Sequence, residues 1–357
     1  MSRLLIMAAG TGGHIFPGLA IADTMRARGW QVSWLGTTRG MEAEIVPRHG
    51  LDFDAINFTG MRGKGLLHTL TGTIKLAVSF FSCLLILLRR KPDVVLGMGG
   101  YVTVPGGVVA KVCGVPLALV NADAALLMSN KALLPFAQKV LFGFSAQADE
   151  LDAKMQVTGN PVRREIRELP SPAQRYATRS GALNILVIGG SLGAKALNDT
   201  IPAVLALIDQ GERPRVVHQS GKPHIAALRA QYAQRQVDAE VVDFIDDMAA
   251  RYAWADLVIC RAGAITVAEL CAAGVASVLV PFIASTTSHQ RENARWMASI
   301  GAAIHQPQSE LNSEALASLI KTMTRERCLH MADAAYRHGK RDANEAIAQV
   351  LETLGHA

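Results

Sequence analysis

The chain has 357 residues, half of them hydrophobic and 18% charged, a composition that excludes a disordered protein and accommodates two domains with separate cores. Its net charge of +6 comes almost wholly from residues 1–160, with 15 Lys/Arg against 10 Asp/Glu, the remainder balancing at 21 against 20. Aromatic residues, at 5%, are too sparse for stacking on single-stranded nucleic acid, and five scattered cysteines without a Cys-x-x-Cys pair offer neither a disulfide framework nor a zinc site.

Met1 leads directly into a strand-like run from Arg3 to Ala9, with no charged segment ahead of a long apolar stretch, so an uncleaved cytoplasmic chain is expected. Gly10-Thr11-Gly12-Gly13-His14 follows, then helical spacing from Pro17, suited to a first turn, to Arg28. A glycine turn between strand and helix brings backbone N–H groups and the helix dipole to an anion, naturally a phosphate; it equally serves as a tight turn for packing. His14 stands where loop becomes helix. There the dipole favours a neutral ring, able to accept a proton from a hydroxyl or else to cap the helix.

Val32 to Leu35 is the second strand, and Leu35-Gly36-Thr37-Thr38-Arg39 lacks the carboxylate that a nicotinamide enzyme places there for ribose. Asp52-Phe53-Asp54 has the Asp-x-Asp spacing of metal-dependent sugar transferases, but alternation with Leu51 and Ala55 puts both carboxylates on one outward face. No metal is expected at the chemical step. Leu76 to Leu88 is apolar nearly all round and ends in Arg89-Arg90-Lys91. It is shorter than the roughly 20 residues that span a bilayer, leaving a buried helix or, with the basic loop Met61-Arg62-Gly63-Lys64-Gly65, a patch on an anionic membrane surface. A strand from Asp93 then opens a third glycine turn, Gly97-Met98-Gly99-Gly100-Tyr101, before the strand Pro116 to Val120. Loops after parallel strands gather on one edge, so the first and third turns should share a crevice, the third handling an acceptor.

Gly159-Asn160-Pro161-Val162-Arg163 and Leu169-Pro170-Ser171-Pro172 are rich in breakers and mark the domain boundary. Leu183 to Ile188 then repeats the opening plan, with Gly189-Gly190-Ser191-Leu192-Gly193 as its turn and Ala194 to Ile208 as its helix. After the strand Leu257 to Cys260, Arg261-Ala262-Gly263-Ala264-Ile265-Thr266 leads into a helix carrying Glu269, whose carboxylate suits ribose hydroxyls or simply the dipole. Ser288-His289-Gln290-Arg291-Glu292-Asn293 opens another helix, suited to sugar hydroxyls and equally to solvent. Strands alternating with helices predict an α/β fold of two Rossmann-like, doubly wound parallel sheets. The expected domains are 1–160 and 161–340, with residues 341–357 as a helix free to cross back onto the first.

Taken together, Gly10 to Pro17, Gly97 to Tyr101, Gly159 to Arg163, Gly189 to Ala194, Phe244-Ile245-Asp246-Asp247-Met248 and Arg261 to Glu269 resemble, in order and over nearly the whole chain, the MurG family of bacterial cell-wall GlcNAc transferases. The resemblance implies a GT-B fold with two domains facing a cleft, and inverting transfer of GlcNAc from UDP-GlcNAc to the MurNAc 4-hydroxyl of lipid I. It implies no cofactor, a peripheral position on the cytoplasmic face of the inner membrane, and cell-wall synthesis proteins as partners. It places Ile245 at uracil, Glu269 on ribose, and Ser191 and Arg163 on the diphosphate, with Ala264, Ile265, Thr266, His289, Gln290 and Asn293 around them. Thr11, Gly12, Gly13 and His14 would meet the donor and the acceptor, while Gly99, Gly100 and Tyr101 would cradle the lipid diphosphate. Val120-Asn121-Ala122-Asp123 departs from the family's His-Glu-Gln-Asn, and puts Asp123, also an expected acceptor contact, where it can orient His14 or share its role as base. The rival enzymes are a UDP-GlcNAc 2-epimerase, which needs no lipid, and a nicotinamide oxidoreductase.

Overall fold

A computed structural model describes residues 1–10, 12–57, 66–144, 152–190, 193–282 and 289–356, with side chains for all of these except 66–74. The chain divides into two compact units, Met1–Arg163 with Arg341–Ala357, and Arg164–Lys340.

Unit 1 is built on β1 (Arg3–Ala8), β2 (Gln31–Thr37), β3 (Asp52–Ile56), β4 (Val94–Gly99), β5 (Leu117–Asn121), β6 (Lys139–Phe142) and β7 (Met155–Val157). They form a parallel sheet in the order β3-β2-β1-β4-β5-β6-β7. Leu4, Leu5, Ile6 and Met7 are all fully buried, because helices cover both faces of the sheet. One face packs Ile15, Leu19 and Met25 of the helix Gly12–Ala27 with Trp34, Ile347 and Leu351. The opposite face packs Cys83, Ile86 and Leu87 of the helix Leu66–Arg90 with Val109 and Leu133.

Unit 2 carries β8 (Asn184–Ile188), β9 (Arg215–Gln219), β10 (Glu240–Val242), β11 (Leu257–Cys260), β12 (Ala276–Leu279) and β13 (Ala303–His305), all parallel, in the order β10-β9-β8-β11-β12-β13. The chain winds outward from β8 to β10, then returns to β11 and winds the other way. Right-handed crossovers therefore put the helices Lys195–Ala206 and Ile225–Gln234 on one face, and Met248–Trp254 and Ala264–Ala273 on the other.

The α/β architecture of two parallel sheets is the one the sequence predicts, with local corrections. The first helix begins at Gly12, so Pro17 is its sixth residue and not its start. A proline there withholds only the N–H that would reach the Gly13 carbonyl, and the helix continues through it. The face that Asp52 and Asp54 share is not an open outward one: Asp54 is 7% exposed, Arg90 Nε donates to its Oδ2 at 2.7 Å, Arg89 pairs with it as well, and Arg90 also reaches Asp52. The Asp-x-Asp spacing thus serves to latch a helix to the edge of a sheet. The helix Leu66–Arg90 is neither wholly buried nor wholly free, since Val78, Phe81, Leu85 and Leu88 form an exposed apolar stripe at helical spacing opposite its packed face. Among the described residues no helix is long and apolar enough to cross a membrane.

Leu351 is fully exposure-free although nearly the whole sequence separates it from β1. Leu351→Ala should cost unit 1 about 2–5 kcal/mol. Chemical denaturation followed by tryptophan fluorescence measures it, and a loss below about 0.5 kcal/mol would show that the last helix is not part of that core.

Candidate active site

In unit 1 the chain leaves β1 and β4, neighbours in the sheet, in opposite directions, and a crevice opens at their carboxyl ends. The first and third glycine turns meet there. Ala9 N–H donates to the Gly99 carbonyl at 3.3 Å, and a Cβ on Gly100, whose φ is +89°, would overlap the Ala9 carbonyl oxygen. The β1–β4 register slips by one residue between Met7 and Ala8, so Met98 is an extra residue in the rim of the crevice. His14, third in its helix, presses Nδ1 so close to Gly99 that a Cβ at that position would stand 2.6 Å from the nitrogen.

The His14 ring is half-buried and its Nδ1 is fully buried without a hydrogen-bond partner. Burial pulls its pKa below 6.5, while the Asp123 carboxylate, the Met98 backbone carbonyl and Glu42 pull the other way. The structure thus brings together His14, Gly99 and Asp123, from the ends of β1, β4 and β5. Thr103, which starts the next helix, is fully buried with its hydroxyl unpartnered. Tyr101 is 44% exposed at the same edge.

Glu42 and Asn130, which hold this edge, are absent from the sequence reading, and Asn121 and Asn160 appear there only as parts of motifs. Glu42 is fully buried and accepts hydrogen bonds from Gly10 N–H at 3.2 Å, Thr37 N–H at 2.9 Å and the Thr37 hydroxyl at 2.6 Å. A carboxylate therefore does stand at the end of the second strand, delivered from a helix five residues downstream. It is taken up by the protein's own donors, so it is not offered to a ribose. It also occupies Gly10 N–H with a negative charge, which makes that group of the first turn unsuited to a phosphate. Asn121 donates to the carbonyls of Asp123 at 2.8 Å and Ala125 at 3.1 Å, and accepts from Leu127 N–H at 2.9 Å. Asn130 donates to Val120 O at 3.0 Å and Asn160 to Ala122 O at 2.8 Å, so three buried amides fix the loop that carries Asp123. Asn121, at the end of its strand, was the one available signal. Arg163 lies over the Phe16 ring at 5.7 Å, within unit 1.

The corresponding edge of unit 2 lies at the ends of β8 and β11. A Cβ on Gly193, whose φ is +76°, would overlap the Ser220 carbonyl oxygen, and Asn198 donates to that oxygen at 3.0 Å. Asn198 Oδ1 lies 3.1 Å from His218 Nε2, and His218 Nδ1 lies 2.9 Å from the Tyr232 hydroxyl. Because Asn198 Oδ1 can only accept, His218 carries its proton on Nε2 and takes the Tyr232 O–H at Nδ1. Burial lowers its pKa to about 3.

Ile245 is buried, and Asp247 caps the helix Met248–Trp254 through Ala250 N–H at 2.9 Å. Glu269, 7% exposed in the second turn of Ala264–Ala273, accepts the Tyr252 hydroxyl at 3.1 Å. Ala264, Ile265 and Thr266 are the first three residues of that helix, behind the N-cap Gly263. Asn293 is fully buried and donates to Ala262 O at 3.0 Å, Gln290 accepts Phe282 N–H at 2.8 Å, and His289 keeps a buried, unpartnered Nδ1. Arg261 donates to Val280 O at 3.0 Å and to Gln308 at 2.7 Å, under the Phe282 ring. Gly12 and Gly13 open the first helix of unit 1. Thr11, Ser191, Ser288 and the basic loop 61–65 lie outside the described residues. Among the described residues no group of three or more His, Cys, Asp or Glu is placed to hold a metal ion.

His218 has a folded pKa of about 3 against 6.5 in an unfolded chain, so the unfolded state binds the extra proton between those values. Its contribution is complete above pH 6.5 and is lost as pH falls toward 3. His218→Gln should flatten the acid side of the stability profile of unit 2, by up to about 1.4 kcal/mol per pH unit. Urea titrations at pH 7, 6 and 5 test this, and parallel profiles for the two proteins would refute it.

Residues 4–142 match the glycosyltransferase family 28 N-terminal domain, and residues 184–347 the glycosyltransferase family 28 C-terminal domain. The chain is 67% identical over 354 residues to a protein of Janthinobacterium sp. (strain Marseille) and 68% identical over 354 residues to one of Herminiimonas arsenicoxydans, covering 99% of each chain and 99% of itself. Both relatives are named UDP-N-acetylglucosamine–N-acetylmuramyl-(pentapeptide) pyrophosphoryl-undecaprenol N-acetylglucosamine transferase. Among solved structures it is similar to Acinetobacter baumannii MurG, at 35% identity and a TM-score of 0.84, with 99% of this chain and 100% of that one covered. Two domain matches in family order, on two parallel sheets with glycine turns at their carboxyl edges, make the chain a member of glycosyltransferase family 28.

Proposed function

We propose that this chain transfers GlcNAc from UDP-GlcNAc to the MurNAc 4-hydroxyl of undecaprenyl-pyrophosphoryl-MurNAc-pentapeptide, lipid I, giving lipid II and UDP with inversion at the anomeric carbon. One observation carries the reading: 67% identity over 99% of both chains with a transferase named for that reaction.

In unit 1, His14 takes the proton of the acceptor hydroxyl as its oxygen bonds to the anomeric carbon, and the bond from that carbon to the β-phosphate breaks with its electron pair leaving on UDP. Burial keeps the ring neutral and able to accept at pH 7, and the Asp123 and Glu42 carboxylates stabilise the imidazolium as it forms. Gly99, Gly100 and Tyr101 receive the acceptor beside it, with Gly12 and Gly13 opening the helix. In unit 2, Ile245 and Glu269 hold the nucleoside. The N-terminus of Ala264–Ala273, with Ile265 and Thr266 in its first turn, and Arg163 oppose the charge that develops on UDP, so the step needs no metal. His289 and Gln290 meet the sugar, while Asn293 acts on it through the Ala262 carbonyl. The stripe Val78, Phe81, Leu85 and Leu88 docks on the cytoplasmic face of the inner membrane, where the acceptor resides.

Labelled UDP-GlcNAc and a short-chain lipid I analogue, in chelator, should give disaccharide lipid and UDP; epimerised nucleotide sugar as the sole product would reject the reading. His14→Ala should lower kcat by at least about a hundredfold with UDP affinity retained. If Asp123→Asn abolishes turnover while His14→Ala does not, His14 is not the base. The acid limb of kcat/KM should fall at a pKa below 6.5, because protonation of His14 removes the base. Phe81→Ser with Leu85→Ser should cut binding to anionic vesicles severalfold without altering UDP affinity, and unchanged vesicle binding would rule the stripe out.

A further inference from the structure

Gln219 is the last residue of β9. Its register partners are Ile188, which ends β8 just before the second glycine turn, and Val242, which ends β10 shortly before Ile245. Side chains alternate across a strand, and His218 points to Asn198 and Tyr232 on one face. Gln219 therefore belongs to the other face, that of the helices Met248–Trp254 and Ala264–Ala273, which carry Tyr252 and Glu269. It is 2% exposed, and its Oε1 is buried with no hydrogen-bond donor. An acceptor in that condition destabilises the empty chain, and a ligand N–H or O–H removes the penalty.

We propose that Gln219 is a further donor-binding residue, its side-chain oxygen accepting a hydrogen bond from the nucleoside of UDP-GlcNAc. This rests on unit 2 being the donor half. The diphosphate, ionised at neutral pH, has no hydrogen to give. The sugar's candidate partners His289 and Gln290 follow β12, which is three strands from β9 in the sheet. Of the nucleoside's candidate partners, Glu269 stands on the face of Gln219, and Ile245 follows β10, the strand whose last residue Val242 pairs with Gln219. Its N–H and O–H groups are uracil N3–H and the ribose hydroxyls, and Gln219 takes one of them.

Calorimetric titration of the full chain, wild type, Gln219→Leu and Gln219→Met, with UDP, N3-methyl-UDP, 2′-deoxy-UDP and 3′-deoxy-UDP tests this, alongside melting curves without ligand. Both variants should bind UDP about fivefold to tenfold more weakly, while the ligand-free melting temperature holds or rises, because an unpaired buried acceptor has been removed. The analogue that binds wild type and variants alike identifies the donating group. UDP affinity within twofold of wild type in both variants overturns the assignment, as does weaker binding with a lowered melting temperature, the mark of a structural amide. A full difference retained by all three analogues overturns it too. Wild-type protein that binds no UDP removes the donor-half reading itself, and this assignment with it.

Discussion

Backbone meets backbone at the carboxyl edge of each sheet, and this close approach sets the rest of both half-sites. A β-carbon on Gly100 would collide with Ala9 O, and one on Gly193 with Ser220 O. Only with hydrogen in those places can the turns after β1 and β4, or after β8 and β9, be pressed together. The consequence in unit 1 is that His14 is wedged against Gly99 with its Nδ1 out of water, which is what keeps the ring neutral. In unit 2 the same contact seats the loop ahead of Lys195–Ala206.

Loops so tightly apposed leave backbone carbonyls that water cannot reach, and the chain satisfies them with amide side chains. Asn121, Asn130 and Asn160 do this around Asp123, Asn198 does it at Ser220, and Asn293 does it at Ala262. Each such amide replaces a solvent partner with a fixed one, so the loops that carry Asp123, Ser220 and Ala262 are held by fixed hydrogen bonds to the protein. Glu42 performs the same service with a full charge. Gly10 and Thr37 are tied to one carboxylate, and its field reaches His14 as well.

The sheets and their glycine turns were legible because their signals are local: apolar runs of strand length, glycine at the exit, and helical spacing afterwards. Glu42 was not, since nothing near it in sequence shows that its carboxylate folds back onto Gly10. The span Leu35 to Arg39 looked devoid of an acid because the acid arrives from a neighbouring helix. Asp54 was misread on alternation alone. Alternation assigns a face but says nothing of whether a neighbouring helix brings arginines to that face, as Leu66–Arg90 does. The buried stretch Asn121 to Asp123 was noticed only as a departure from a family pattern, and its hydrogen bonds make sense of the asparagine at its start.

Ile347 and Leu351 fill the core of unit 1 beside Trp34 and Met25. During synthesis the strands of that unit emerge first and the helix that completes their core emerges last, after the whole of unit 2. The sheet β1–β7 must therefore leave the ribosome with one face incompletely covered and wait there, exposed to chaperones, while the second unit is made and folds on contacts of its own. The core of unit 1 can therefore be completed only after the residues of unit 2 have been made.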